Sequence, residues 1–68
     1  MSNEAKQLLV KMAREYDTSN RNSFNSTFYM DFPKRVLYEL EENECIVMKN
    51  DVIGSVQLTE FGYQEANK

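Results

Sequence analysis

The side chains best suited to chemistry cluster near the middle of the chain. Lys34, Arg35 and Tyr38 are of the types that contact phosphates and bases, and four glutamates and Cys45 follow them between residues 39 and 45. The sequence has no histidine and one cysteine, which excludes histidine-based triads, histidine general bases and a structural zinc site. Glutamates at a water-exposed helix end have no reason for shifted pKa values. We therefore expect a binding module and not an enzyme.

Composition indicates one folded domain spanning residues 1–68. Hydrophobic residues make up 41% of the 68 residues and charged residues 28%, which is typical of a folded chain of marginal stability. The longest apolar run near the start is Leu8-Leu9-Val10, too short for a signal peptide or a membrane span. A lone thiol suits a reducing compartment. We expect a cytoplasmic protein with no cofactor, no small-molecule substrate and no membrane partner.

The net charge of −3 is unevenly distributed along the chain. Residues 1–35 carry six basic and four acidic side chains, a net of +2, whereas residues 36–68 carry two basic and seven acidic ones, a net of −5. A nucleic-acid-binding surface would have to be a local basic patch acting against the field of the whole molecule. The acidic half suits either a solvated surface or a protein partner.

Apolar spacing predicts a first helix that begins after Ser2 or Asn3 and stops near Tyr16-Asp17. Its apolar stripe comprises Ala5, Leu8, Leu9, Met12 and Tyr16. Residues 17–27 are rich in Ser, Thr and Asn, which favour turns. Phe24, Phe28 and Phe32 recur at steps of four and suggest a short helix over about 23–30, although residues 27–30 suit a short strand equally well.

The second half of the sequence predicts a helix, a hairpin and a terminal helix. Pro33 at the first helical position and Asn43 at the end bound the helix. Residues 45–49 and 52–58 have strand composition, with a turn at Asn50-Asp51 and a bulge or loop at Gly54. Thr59 caps a last helix over about residues 60–66, in which Gly62 indicates a close backbone approach.

These elements place nine apolar residues on faces that should form one core: Leu8, Leu9, Met12, Val36, Leu37, Leu40, Ile46, Val56 and Leu58. Cys45 is most simply a buried apolar residue at a strand start, and Met12, Met30 and Met48 are most simply core fillers. The fold class is therefore α+β, in the order helix, short helix or strand, helix, β-hairpin, helix.

Two stretches in this order resemble a winged helix-turn-helix domain of the small bacterial or phage type. Residues 34–46 resemble a recognition helix that runs into the first wing strand, a pattern often written LEENGLI, with Glu44 where the family often has glycine. Residues 58–62, Leu-Thr-Glu-Phe-Gly, resemble the LTExG segment that commonly follows the wing. The resemblance covers residues 31–63, about half of the chain.

The resemblance implies a non-catalytic DNA-binding or transcription-regulatory accessory protein. The third helix would enter the major groove of double-stranded DNA and present Lys34, Arg35 and Tyr38. Residues of the preceding segment would contact phosphates, and Lys49 is the only cation of the wing. The candidate DNA-binding residues are therefore Arg21, Asn22, Asn25, Lys34, Arg35, Tyr38 and Lys49.

A second function class stays open beside the first. A protein-protein interaction adaptor would use the acidic face or the C-terminal aromatic helix, which carries Phe61 and Tyr63. One of these rings could face the core while the other is exposed, and the pair is a candidate homodimer surface. A continuous positive stripe joining Arg21, Lys34, Arg35 and Lys49 would favour DNA, and acidic patches beside the third helix would favour a protein partner.

Overall fold

A computed structural model describes residues 1–49 and 55–68, and in them four helices and three strands. A three-stranded antiparallel sheet has the order β1-β3-β2, with Phe24 opposite Val56 and Ile46 opposite Leu58. Among the described residues, none of the helices has the length and apolar character needed to cross a membrane. The elements are α1 (Asn3–Ser19), β1 (Ser23–Phe24), α2 (Ser26–Tyr29), α3 (Lys34–Glu42), β2 (Ile46–Lys49), β3 (Ser55–Leu58) and α4 (Glu60–Ala66).

Helix α1 begins as predicted and ends later than predicted. The Ser2 hydroxyl accepts a hydrogen bond from the Ala5 amide and caps the helix. The helix continues to Ser19, where Asn20 adopts a left-handed conformation with φ 54° and donates its amide to the Tyr16 carbonyl. Asparagine tolerates this conformation better than most residues, so Asn20, and not the Tyr16-Asp17 pair, ends the helix.

The segment between α1 and α3 contains both a strand and a helix. The strand lies at Ser23–Phe24, not at residues 27–30, and α2 is a single turn over Ser26–Tyr29. Asn25 separates them because its side-chain oxygen accepts the Thr27 amide at 3.1 Å and caps α2. Phe24 is buried, and Phe28 and Phe32 pack partly against the core. The phenylalanine spacing therefore marked residues that reach the core, but not one continuous helix.

Helix α3 follows the predicted limits within one residue. Pro33 occupies the N-cap and not the first helical position. The helix ends at Asn43, whose amide donates to the Glu39 carbonyl at 3.1 Å. Glu44 then adopts φ 62°, the left-handed region that favours glycine. It is the position at which the winged-helix pattern often has glycine.

The core agrees with the sequence prediction. All nine predicted residues are buried in one cluster, together with Ala5, Phe24 and Cys45. Met12 is buried and Met48 packs partly against the cluster. The prediction for Met30 is wrong: it is 71% exposed, because it lies in the turn that follows α2. Tyr16, at the end of the α1 stripe, is 36% exposed.

The hairpin and α4 follow the predicted order. Strand β2 begins at Ile46, directly after the buried Cys45, and β3 is described from Ser55. The predicted turn at Asn50-Asp51 and the bulge at Gly54 lie outside the described residues. Thr59 caps α4 by accepting the Gly62 amide at 2.9 Å, and its own amide donates to the Cys45 carbonyl at 3.0 Å. These bonds tie α4 to the start of β2.

Candidate nucleic-acid interface

The N-terminal half of α3 presents Lys34 and Tyr38 on one exposed face. They are four residues apart and therefore neighbours on the helix surface. Tyr38 is 57% exposed, so it is available for contact and is not the half-buried packing residue that tyrosine often is. Both line a groove of about 430 Å³ whose apolar lining includes Met30, Leu37 and Met48. The described lining of this groove combines a lysine, two tyrosines and two methionines with other apolar side chains.

Arg35 points away from this face. Its guanidinium forms an ion pair with the Glu4 carboxylate at the start of α1, and both side chains are substantially exposed. Consecutive helical residues point about 100° apart, which is why Lys34 and Arg35 do not act as one patch. The structure therefore places the two adjacent cations in different surroundings.

Glu39, one turn after Arg35, joins α3 to the beginning of α1. Its carboxylate accepts the Ser2 amide at 2.5 Å and the Ser2 hydroxyl at 2.9 Å. These hydrogen bonds lower the pKa of Glu39, and the positive charge of Arg35 contributes in the same direction. A carboxylate that accepts backbone and hydroxyl hydrogen bonds is stabilised in its charged form. Glu39 is therefore a structural contact and does not belong to an acidic docking face.

The pKa of Glu39 makes this contact sensitive to acid. Because folding lowers the pKa below its ordinary value of 4.5, the contribution to stability is present above that value and is lost as pH falls through the folded pKa. We expect Glu39→Gln to lower the melting temperature at pH 7 and to lower it less at pH 3, because the advantage of the charged form diminishes below pH 4.5. Melting curves at both pH values measure it, with Glu42→Gln on the same helix as the matched control. Equal pH dependence of the two variants would contradict the assignment.

Arg21 and Asn25 both line a second groove. This groove, of about 700 Å³, is also lined by Thr27 and Ser55. Arg21 and Asn25 are exposed, and the oxygen of Asn25 is engaged by its capping bond to Thr27. An arginine beside hydroxyl and amide groups is suited to contact phosphate oxygens.

Asn22 lies apart from both of these grooves. Asn22 lines a third groove with Glu60 and Tyr63 beside α4, and its carbonyl accepts the Leu58 amide at 2.8 Å. Lys49 ends β2 opposite Ser55, and its side chain lies outside the described part of the chain. The cations whose side chains are described do not form a continuous stripe, since Arg21 and Lys34 line separate grooves and Arg35 pairs with Glu4.

The acidic end of α3 leaves its charges exposed. Glu41, Glu42 and Glu44 are all exposed, and none of the cations whose side chains are described lies within ion-pair distance of them. The outer surface of α3 therefore changes from basic at Lys34 to acidic at its C-terminal end. A phosphate backbone would be repelled at that end.

Of the two aromatic residues of α4, Tyr63 packs against the core and Phe61 is exposed, as the sequence suggested. Tyr63 packs against the core, contacts the edge of the Tyr16 ring with centroids 5.3 Å apart, and donates its hydroxyl to Asp17 at 2.6 Å. This hydrogen bond raises the pKa of Tyr63. Phe61 is 48% exposed, so only Phe61 remains as a candidate contact for a second copy.

The described residues offer no evident metal or redox centre. They contain no group of three or more Cys, Asp and Glu side chains arranged to hold a metal ion. Cys45 is fully buried, and desolvation raises the pKa of its thiol. A thiol held in its neutral form is a poor nucleophile, so Cys45 acts as a packing residue.

The groove beside Lys34 and Tyr38 includes one residue, Met30, that the sequence analysis missed as a surface residue. The sequence placed Met30 in the core and at the end of a short helix or strand, so no signal in it indicated the turn that exposes this side chain. Comparison with protein-family models, with curated proteins and with solved structures gives no match. The function must therefore be argued from the geometry and charge of these residues.

Proposed function

We propose that this protein is a small winged-helix domain that binds duplex DNA and acts as a non-catalytic regulatory accessory, with α3 in the major groove. The observation that carries the proposal is the exposed N-terminal half of α3, with Lys34 and Tyr38 on one face. The order of elements, with α2 directly before α3 and the β2–β3 hairpin after it, is compatible with such a domain. In helix-turn-helix proteins the N-terminal residues of the second helix contact base edges.

The proposed contacts differ in kind. Lys34 neutralises a phosphate or donates to a guanine edge, and Tyr38 makes an apolar contact with a base. Arg21 and Asn25 contact phosphates beside α2. For Arg35 we propose no DNA contact, because its guanidinium is paired with the Glu4 carboxylate at the start of α1.

A salt titration with paired neutralising variants tests this proposal. With about two phosphates neutralised by Lys34 and Arg21, the log–log dependence of affinity on salt for mixed-sequence duplex DNA should have a slope of about −1.8. Lys34→Gln and Arg21→Gln should each reduce the slope to about −0.9. The matched control Arg35→Gln removes the same charge and should leave the slope nearly unchanged.

Two results would contradict the proposal. One is the absence of measurable binding at low salt by a protein whose circular dichroism shows it folded. The other is an equal loss of DNA affinity in Arg35→Gln and Lys34→Gln. That result would mean that binding depends on the net charge of the protein and not on the exposed face of α3.

A protein-binding adaptor is the second candidate. It is favoured by the apolar groove beside α3, by the exposed glutamates at the end of α3 and by the separation of Arg21, Lys34 and Arg35. Met30 and Tyr38 are both more than half exposed at its rim, and exposed apolar side chains in a groove are typical of protein interfaces. The matching partner carries an apolar anchor for the groove and basic residues toward Glu41 and Glu42. Loss of partner binding in Met30→Ser, with DNA binding absent in the wild type, would support this function over the first.

A further inference from the structure

The outer face of α1 forms a basic groove that the proposed DNA contacts do not use. The groove has a volume of about 470 Å³ and is lined by α1 and the Phe28 side chain of α2. Gln7, Lys11, Arg14 and Thr18 recur on it at spacings of three and four residues. Its lining shares no residue with the groove that holds Lys34 and Tyr38.

Two lysines of this groove are held in position without being neutralised. The Lys11 ammonium donates to the Phe28 carbonyl at 3.0 Å and lies 4.6 Å from the centre of the Phe28 ring. The Lys6 ammonium donates to the Glu65 carbonyl at 2.5 Å. An ammonium has three donors, so each lysine keeps donors for a further acceptor. Fixing them in advance reduces the entropy lost on binding.

The positive charge of the groove is largely uncompensated. No carboxylate lies within ion-pair distance of Lys6, Lys11 or Arg14 among residues 1–49 and 55–68. Glu15 is the one acidic residue in the described lining. A chain of net charge −3 thus carries three cations together on one helix face, which would attract an acidic ligand.

The groove also has an apolar floor. Val10 and Phe28 line it and are half-buried. Phosphodiester chains would meet the cations and leave this apolar surface uncovered, whereas a peptide with both acidic and apolar side chains would cover both. The lining runs from Lys6 to Thr18, about 18 Å of helix at 1.5 Å per residue, which matches a partner helix of about twelve residues.

We propose that the α1 groove binds an acidic amphipathic helix of a partner protein. Apolar side chains of that helix, spaced by three and four residues, would pack on Val10 and Phe28. Its carboxylates would accept hydrogen bonds from Lys6, Lys11 and Arg14. This inference is independent of DNA binding by α3.

The test uses a defined probe, a fluorescein-labelled fourteen-residue helical peptide with leucines along one face and glutamates on the others. Its binding is measured by fluorescence anisotropy at low salt. We expect Arg14→Glu to weaken binding about tenfold, since it replaces an attraction by a repulsion at an exposed site. Lys11→Gln, which keeps a donor for the Phe28 carbonyl, should weaken binding about threefold. Lys68→Glu, at an exposed residue that does not line the groove, changes the net charge as much as Arg14→Glu and should have no effect.

Several outcomes would overturn the proposal. They are the absence of probe binding at low salt, unchanged affinity in Arg14→Glu, and equal affinity for a peptide whose leucines are replaced by serines. A further measurement adds duplex DNA as a competitor of the labelled peptide. Displacement of the probe by DNA, together with loss of DNA binding in Arg14→Glu, would assign the groove to nucleic acid and reject the helical partner.

Discussion

Replacing Gly62 by alanine should destabilise the protein by about 2 kcal/mol or more, although alanine favours helices by about 1 kcal/mol over glycine. A Cβ at Gly62 would lie 2.1 Å from the carbonyl oxygen of Cys45 and 2.9 Å from its carbonyl carbon. These are backbone atoms at the start of β2, and the same oxygen accepts hydrogen bonds from the Thr59 amide and hydroxyl. Relief of the clash must therefore move α4 and weaken the bonds that hold it.

Chemical denaturation of Gly62→Ala beside Gln64→Ala measures this effect. Gln64 is exposed on the same helix, so its substitution should change the free energy of unfolding by less than about 0.5 kcal/mol. A stabilised Gly62→Ala would mean that helix propensity outweighs the close approach and that α4 does not pack on β2 as described.

Leu40→Ala should cost about 2–5 kcal/mol of stability and leave a large fraction of the molecules unfolded. Leu40 is fully buried and belongs to the single core cluster. Its truncation removes apolar contacts and leaves a cavity. A domain of this length has a total stability of about 3–5 kcal/mol, so the loss is comparable with the whole.

The change is measured by thermal and urea unfolding, with Glu41→Ala as the matched control. Glu41 is the next residue of α3 and is exposed. Its substitution by alanine therefore changes the helix propensity of α3 but removes no buried side chain. Similar melting curves for Leu40→Ala and the wild type would show that α3 does not bury this side chain.

Preferences of neighbouring residues were sufficient to predict where the first helix begins and how the last helix is capped and packed. Ser2 or Asn3 was predicted as the cap of the first helix and Thr59 as the cap of the last, and the hydroxyls of Ser2 and Thr59 accept backbone amides. Gly62 was predicted to allow a close approach, and the Cys45 carbonyl makes it. A cap is a contact between residues three apart, and apolar periodicity identifies the buried face of a helix without reference to its partner.

The secondary structure in the middle of the chain depended on contacts between residues that are distant in sequence, which the preferences of neighbouring residues do not predict. A helix was predicted over about residues 23–30, with a strand over 27–30 as the alternative. The strand instead lies at Ser23–Phe24, where Phe24 pairs with Val56, which is distant in sequence. Met30 has an apolar side chain but lies in a turn that the core does not reach. For such segments tertiary pairing outweighs propensity, because the intrinsic differences are small.

The sequence by itself determined the α+β class, the order of the main elements, the nine core positions and the cap of the last helix, because these depend on spacing and on neighbouring residues. Only the tertiary structure decided which charges act together. It separated Lys34 from Arg35 by pairing the arginine with Glu4, joined Glu39 to Ser2, and brought Lys11 to Phe28. Each of these contacts joins residues at least 17 positions apart. The surroundings of a charge, and therefore its availability to a ligand, follow from such distant neighbours.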